Sequence, residues 1–292
     1  MKVLIVGLGN IGLGLIAPVF KNAGYDVVGT DAFKKRLDAL EKGYFIQTPS
    51  EISKMSINVF DMNEIPNDFD LIVVSVGRNN LAKVAEWYKE KNFLMPVMLA
   101  ENLPEPVNLF PAQISIVVDR ICSRIGVLEN FLSVTAEDYY KLMTLENGLT
   151  GLLKSDKNVE LFGSEEEVEL KRKQKLFTVN TSHVVAALYG KKLGCLWIEE
   201  AVKLPEVVEK MHLSLIEVGQ WLGFNKIAAQ TKARDIIKRF SSPLQDPINR
   251  ILGQKDRQLG NPYIDIPLRE LSKLFVSAPT LKEAQKLYSN LA

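Results

Sequence analysis

The chain has 292 residues, the length of about two ordinary domains, and it can bury a sizeable core without cross-links. Its 36 basic and 35 acidic residues leave a formal charge of +1, which argues against a nucleic-acid-binding protein with its usual basic surplus. With only two His and two Cys, far apart, the sequence excludes a disulfide framework and a structural zinc site with paired ligands. The cysteines fit a reducing cytoplasm.

One uncharged stretch, residues 3–20, has the length of a membrane segment. It contains four Gly, one Asn and one Pro, which are poor material for a spanning helix or a signal peptide core. We therefore expect a cytoplasmic protein without a membrane partner.

The first half of the sequence alternates strands with helices. The expected strands are 2–6, 26–30, 44–47, 57–60, 70–76, 96–100 and 114–118, and the expected helices are 11–23, 33–42 and 81–89. This alternation predicts an α/β fold, with a doubly wound parallel sheet of Rossmann type covered by helices on both faces.

The second half of the sequence is different. Beyond a charge-rich segment at 165–175, helical periods dominate at 184–189, 196–203, 207–222 and 227–240. We therefore predict two domains, a Rossmann domain over residues 1–174 and a mostly α-helical domain over residues 175–292.

A glycine-rich turn follows the first strand. Gly7, Gly9 and Gly12 form a G-x-G-x-x-G pattern that opens a helix, with Asn10 and Ile11 before the last glycine. The glycines permit a tight turn, close approach of a pyrophosphate and close helix–strand packing, and the helix N-terminus supplies amide donors. These five residues are the predicted dinucleotide-binding loop.

Asp31 ends the second strand about 20 residues further on. Its carboxylate is placed to accept hydrogen bonds from the adenosine ribose, which favours NAD over a 2′-phosphorylated cofactor. The basic residues that follow, Lys34, Lys35 and Arg36, leave tolerance of NADP open. The alternative is a Rossmann-like domain that has lost its nucleotide.

Two further strand ends fall where open α/β sheets bind ligands. Gly77 follows the strand at 70–76 and either lets the backbone pass close to the cofactor or simply ends the strand. Asn102 follows the strand at 96–100, either as a site residue or as an ordinary turn residue.

Lys175, Asn180 and His183 form a K-x4-N-x2-H pattern at the start of the helical half. On a continuous α-helix, Asn180 and His183 lie about 60° apart, whereas Lys175 points about 140° away from Asn180. If all three act together, we expect a bend after Lys175, with a helix beginning near residues 178–180. The spacing alone also fits His183 as an ordinary helix residue.

This pattern resembles the signature of the polyol-specific long-chain dehydrogenases, and KLFTVNTSHVVAALYGKKLG is most similar to their mannitol-1-phosphate 5-dehydrogenase branch. Further segments resemble that branch in the same order along the chain: GLGNIGLGLI, SVGRNNL, AENLPEP, FPAQISIVVDRI and RFSSPLQDPINRILGQKDRQL.

The resemblance implies metal-independent, NAD-dependent interconversion of a sugar-alcohol phosphate and a ketose phosphate. Lys175 would be the general acid/base, a role that requires a pKa below the usual value of about 10.4. Asn102 and Asn180 would donate hydrogen bonds to the reacting oxygen and so polarise it, the task that zinc performs in other alcohol dehydrogenases, and His183 would hold a neighbouring hydroxyl.

The resemblance also implies substrate contacts further out. Asp119 and Arg250 match substrate-binding positions, and a phosphate group needs another cation, for which Arg257 comes first and Lys191 or Lys192 next.

The sequence departs from the family in its substrate region. The segments before Asp119 and before Lys175 are short, Leu13 stands where the branch usually has Arg, and Ala100 replaces a common Cys. The chemistry is therefore better defined than the substrate.

Two other classes of function stay open. A β-hydroxyacid dehydrogenase also joins a Rossmann domain to a helical domain with catalytic Lys and Asn, but usually with K-x3-N spacing. A non-catalytic NAD(H)-sensing protein has no need of Lys175, Asn180 and His183 together. The sequence fits a monomer and leaves an oligomer open.

Overall fold

The structure is a computed structural model that describes residues 1–104, 107–253 and 260–291. The chain forms two compact units, Met1–Arg172 and a second from Lys173 onward. The sequence places the boundary at residue 174, two residues later. The helix α4 (Glu165–Lys175) runs across the division, so the two units are joined by a helix and not by a loop.

A six-stranded parallel sheet organises the first unit. Its strands are β1 (Lys2–Val6), β2 (Asp26–Thr30), β5 (Asn58–Val59), β6 (Leu71–Val74), β7 (Val97–Leu99) and β8 (Gln113–Ile114). Their order is β5-β2-β1-β6-β7-β8, so the direction of strand addition reverses between β1 and β6. This is the Rossmann order, which confirms the predicted fold class.

The central strands are continuous apolar runs because both faces of the sheet are covered. In β1, Val3 and Ile5 join one core cluster, whereas Leu4 and Val6 join the cluster on the other face. The covering helices are α1 (Ala17–Asn22) and α2 (Lys34–Leu40) against the first cluster, and α3 (Leu81–Glu90) against the second.

Two smaller sheets complete the first unit. One has the order β10-β11-β3-β4, from β3 (Tyr44–Gln47), β4 (Ile52–Met55), β10 (Cys122–Leu128) and β11 (Phe131–Ala136). The other has the order β13-β12-β9, from β9 (Ile116–Asp119), β12 (Lys141–Leu145) and β13 (Val159–Phe162).

The single strand predicted at 114–118 is wrong. The chain leaves the six-stranded sheet at Ser115, where the backbone carbonyl accepts a hydrogen bond from Thr144 Oγ1 at 2.6 Å. Its two halves, β8 and β9, therefore belong to different sheets.

The second unit is mostly α-helical, as expected. Its helices are α5 (Thr181–Lys192), α6 (Ile198–Ala201), α7 (Pro205–Trp221), α8 (Lys226–Phe240), α9 (Ile248–Leu252), α10 (Pro262–Lys273) and α11 (Pro279–Ser289). Helix α5 is buried on nearly every side and packs against α6, α7 and α9, as its almost uncharged sequence requires. Within the described ranges, none of the helices is long and apolar enough to cross a membrane.

Candidate active site

The glycine loop lies where the strand order reverses. Gly7 has a φ of 96°, and an added Cβ there would lie 2.4 Å from the carbonyl oxygen of Ser75. A Cβ on Gly12 would lie 2.1 Å from the carbonyl oxygen of Gly7. Because Ser75 Oγ also donates to that carbonyl at 2.8 Å, the ends of β1 and β6 are tied together in a turn that accepts only glycine at these two positions.

The three other loop residues have different surroundings. A Cβ on Gly9 would meet no heavy atom within 4 Å, so this backbone faces open space. Asn10 Nδ2 donates to the carbonyl of Cys122 at 3.0 Å, and Ile11 packs against the core. Of the three, Gly9 therefore has the backbone open to a phosphate, whereas Asn10 and Ile11 hold the loop in place.

Asp31 is fixed at the end of β2 by three donors. The backbone N–H groups of Leu8 and Phe33 each donate to its carboxylate at 2.9 Å, and Arg36 Nη1 lies 2.6 Å from Oδ2. The Arg36 guanidinium also lies 5.2 Å from the centroid of the Phe33 ring. The predicted ribose-binding carboxylate is thus joined to the glycine loop and has a cation beside it.

Glu101 is a third feature at the carboxyl ends of the parallel strands, and the sequence analysis missed it. Gly77, with a φ of 83°, donates its N–H to Glu101 Oε1 at 2.7 Å. Burial raises the pKa of Glu101 to about 7, although hydrogen bonds from the backbone of Gly77 and Val76 oppose the rise. The adjacent Asn102 is exposed at the end of β7. The carboxyl group of Glu101 therefore ties Gly77 to the chain segment that carries Asn102.

The break expected after Lys175 is not found. Helix α4 continues through a π-helical turn at Leu176–Asn180 directly into α5. In a π turn the backbone hydrogen bond joins residues five apart, so Lys175 and Asn180 stack on one side of the helix. His183 lies about 60° further round, in the α-helical part. One extra residue in the turn therefore brings the three side chains to one side without a bend.

Side chains of the π turn are buried in the core of the second unit. Leu176 and Phe177 are 1% and 3% exposed, and the Phe177 ring contacts Trp221 with 4.8 Å between centroids. Thr178 Oγ1 donates to the carbonyl of Gln174 at 2.8 Å. Lys175 itself is only 8% exposed. These contacts fix the turn, and they place the lysine in a largely water-excluded position.

His183 and Arg250 meet at a residue that sequence reasoning missed, Asp246. Nε2 of His183 lies 2.9 Å from Oδ2 of Asp246, and Nε and Nη2 of Arg250 lie 2.6 and 2.7 Å from its two oxygens. Although burial opposes it, His183 and Arg250 hold the pKa of Asp246 well below its usual range. The i,i+4 spacing from Asp246 to Arg250 was the only sign in the sequence.

The remaining predicted substrate residues lie on other elements of the chain. Asp119 is buried at the end of β9, in the three-stranded sheet, opposite Lys141. Lys191 and Lys192 end α5 on the exposed surface, with Lys192 Nζ 3.8 Å from Glu206. Arg257 lies outside the described residues. Within the second unit, Arg250 and the predicted catalytic residue His183 both contact Asp246.

The described residues contain no group of three or more His, Cys, Asp and Glu side chains arranged to hold a metal ion. Metal independence stays a prediction, and it is tested below together with the activity.

The raised pKa of Glu101 predicts a pH-dependent stability. The folded pKa of about 7 lies above the ordinary 4.5, so the stability that Glu101 contributes below about pH 4.5 is lost as the pH rises towards 7. The free energy of unfolding of Glu101→Gln, relative to that of wild type, should therefore rise by about 2–3 kcal/mol from pH 5 to pH 8. Urea unfolding at both pH values measures the gain. Glu86→Gln, at an exposed position of α3, is the control, and an equal difference at both pH values would contradict the raised pKa.

No protein-family model matches the chain. Curated relatives do. The chain is 27% identical to mannitol-1-phosphate 5-dehydrogenase of Bacillus subtilis (strain 168), over 100% of this chain and 86% of the relative. It is 28% identical to the protein of the same name from Bacillus pumilus (strain SAFR-032), over 89% of this chain and 80% of the relative.

Solved structures share the fold. Pseudomonas fluorescens mannitol 2-dehydrogenase, in a ternary complex with NAD and D-mannitol, matches 99% of this chain with 79% of its own, at a TM-score of 0.76 and 12% identity. The probable 2-dehydropantoate 2-reductase PanE of Bacillus subtilis matches over the full length of both chains, at a TM-score of 0.66 and 16% identity. The fold is thus shared by proteins named for different substrates. The sequence matches, in contrast, confirm the resemblance to the mannitol-1-phosphate 5-dehydrogenase branch over most of the chain.

Proposed function

We propose that this protein is an NAD-dependent dehydrogenase that interconverts a sugar-alcohol phosphate and a ketose phosphate, of the mannitol 1-phosphate and fructose 6-phosphate type. The observation that carries the proposal is the π-helical turn Leu176–Asn180, because its i,i+5 repeat supports a common side of the helix for Lys175, Asn180 and His183. The similarity to proteins named mannitol-1-phosphate 5-dehydrogenase supports the substrate class.

The first unit would hold the cofactor. The open backbone at Gly9 and the tight turn at Gly7 fit a pyrophosphate, and Asp31 stands where the adenosine ribose hydroxyls would come. When bound, NAD supplies the acceptor for the hydride that leaves the alcohol carbon. Arg36 beside Asp31 offers a positive charge to a 2′-phosphate, so we expect NAD to be preferred and NADP to be used more weakly.

The second unit would supply the acid–base chemistry. Lys175 takes the proton from the substrate hydroxyl during oxidation and returns it during reduction. The Asn180 amide donates a hydrogen bond to the same oxygen and stabilises the negative charge that develops there. Asn102, in the first unit, has this second role by resemblance to the family.

His183 and Arg250 would recognise the rest of the polyol chain. The imidazole is suited to one hydroxyl next to the reacting carbon, and the guanidinium to a further hydroxyl or to the phosphate. Arg257 remains the residue predicted from the sequence to supply an additional positive charge to the substrate phosphate.

A β-hydroxyacid dehydrogenase is the second candidate, because the π turn removes the difference between its usual K-x3-N spacing and the K-x4-N spacing of this chain. A five-residue spacing on a π turn places Lys175 and Asn180 much as a four-residue spacing does on an α-helix. Lys175 and Asn180 alone therefore fit either class of dehydrogenase. His183, which follows them, favours a polyol dehydrogenase.

The activity is tested by NADH oxidation with fructose 6-phosphate, free fructose and 2-dehydropantoate, each with and without EDTA. We expect turnover of the ketose phosphate, with kcat/KM at least about tenfold above free fructose because a charged hydrogen bond contributes 1.5–3 kcal/mol. EDTA should change nothing. Turnover of 2-dehydropantoate alone would favour the second candidate, and NADH binding without turnover of any compound would favour a sensor.

The role of Lys175 is tested by Lys175→Ala. Loss of the general acid/base should lower kcat at least about 100-fold and leave the Kd for NADH within about twofold. Stopped-flow NADH oxidation and fluorescence titration measure the two quantities. Lys173→Ala is the matched control, since this exposed lysine of α4 contacts the Trp221 ring at 4.4 Å and has no assigned role. A Lys175→Ala enzyme with the wild-type rate would refute the assignment.

A further inference from the structure

Asp246 is held rigidly, and the proposed reaction gives it no role. Its carbonyl accepts the backbone N–H of Ile198 at 3.0 Å, and its own N–H lies 3.3 Å from Glu199 Oε2. The next residue, Pro247, forms an isolated antiparallel bridge with Trp197. With 3% of its surface exposed, Asp246 is a buried carboxylate fixed from both sides.

The two oxygens of this carboxylate face three nitrogens. Arg250 approaches side-on, with Nε 2.6 Å from Oδ1 and Nη2 2.7 Å from Oδ2, and His183 Nε2 lies 2.9 Å from Oδ2. An ionised carboxylate only accepts hydrogen bonds, so a ring nitrogen that turned its lone pair towards Asp246 at this distance would be repelled. The two Arg250 contacts are hydrogen bonds, whereas the Nε2–Oδ2 contact of His183 is a close electrostatic contact without hydrogen-bond alignment. The guanidinium nitrogens always carry hydrogens, but Nε2 of a neutral imidazole does so in only one of its two tautomers.

The surroundings of His183 favour the neutral imidazole. Burial lowers the pKa of His183, and the nearby Arg250 and Arg239 lower it further, whereas Asp246 raises it. The ring also packs against Phe240, with 4.6 Å between centroids, so it cannot turn freely. In the neutral ring, the close approach of Asp246 favours the hydrogen on Nε2, which leaves the lone pair on Nδ1.

We propose that Asp246 is a positioning residue that holds His183 in the Nε2–H tautomer, so that Nδ1 accepts a hydrogen bond from a substrate hydroxyl. This inference rests on the proposed polyol function. The same carboxylate fixes Arg250, so one residue orients both groups that recognise the substrate beyond the reacting carbon. Asp246 thereby favours substrates that present a hydroxyl donor next to that carbon.

The tautomer can be observed directly because the chain has only two histidines. His212→Gln leaves His183 as the single histidine, and ¹⁵N-labelled histidine then gives one pair of ring-nitrogen signals. Near pH 8 we expect a protonated Nε2 and an unprotonated Nδ1. A hydrogen on Nδ1 would overturn the proposal, and this result does not depend on how any variant of Asp246 folds.

Asp246→Asn tests the consequence for catalysis. The amide has one acceptor oxygen and cannot serve both His183 and Arg250, so the ring signals should shift towards a mixture of tautomers. Loss of a charged hydrogen bond should lower kcat/KM for the ketose phosphate about 10–100-fold, mainly through KM, with the Kd for NADH unchanged. Unaltered ring signals together with an unaltered KM would overturn the proposal.

Asp265→Asn is the matched control. Asp265 lies on α10 of the same unit and accepts a hydrogen bond from Gln285 Nε2 at 2.8 Å. This variant should keep the wild-type KM and ring signals.

The two proposals fail separately. If no ketose phosphate is turned over, the function is wrong while the tautomer measurement still stands. An active enzyme with the hydrogen on Nδ1 refutes the role of Asp246 alone.

Discussion

The candidate site depends on the helical register between Lys175 and His183. A regular α-helix would turn Lys175 away from Asn180 by about 140°, and the proton acceptor would then be separated from the amide that polarises the same oxygen. The π turn removes this separation by adding one residue to a single turn. Buried side chains of the turn, with Phe177 against Trp221, hold this geometry. Core packing therefore sets the helical register on which the proposed site depends.

The same helix continues as α5, which is buried almost all round, so polar groups on it must be satisfied inside the unit. At His183 the carboxylate of Asp246 lies 2.9 Å from Nε2, and its charge is balanced by Arg250. The His183 ring also packs against Phe240, which restricts its rotation. In this unit, the stability of a buried helix and the recognition of a hydroxyl would thus depend on one carboxylate.

Much of the first unit was predictable from sequence because its signals are local. The apolar strands and the glycine loop indicate the Rossmann sheet, and the φ of Gly7 and the close contact at Gly12 explain why glycine is needed there. The strands β10–β13 were missed because each mixes polar with apolar residues and is only partly buried. The desolvation of Glu101 also depends on how the chain folds around it.

In the second unit, the residues of the site were predictable but their arrangement was not. LFTVN contains neither Gly nor Pro, and nothing in it distinguishes a π turn from an α-helix. The turn results from tertiary packing, and so the sequence suggested a bend instead. Asp246 lies more than 60 residues from His183, and only the folded chain shows that it serves both His183 and Arg250.

The most direct test of this account is a crystal structure of the wild-type protein in a dead-end complex with NAD and fructose 6-phosphate. Both compounds are oxidised, so the complex cannot react. We predict that Lys175 Nζ and Asn180 Nδ2 both lie about 2.6–3.2 Å from the ketose oxygen, on an intact π turn. A ketose bound with Lys175 directed away from that oxygen, or a regular α-helix in place of the turn, would contradict the account.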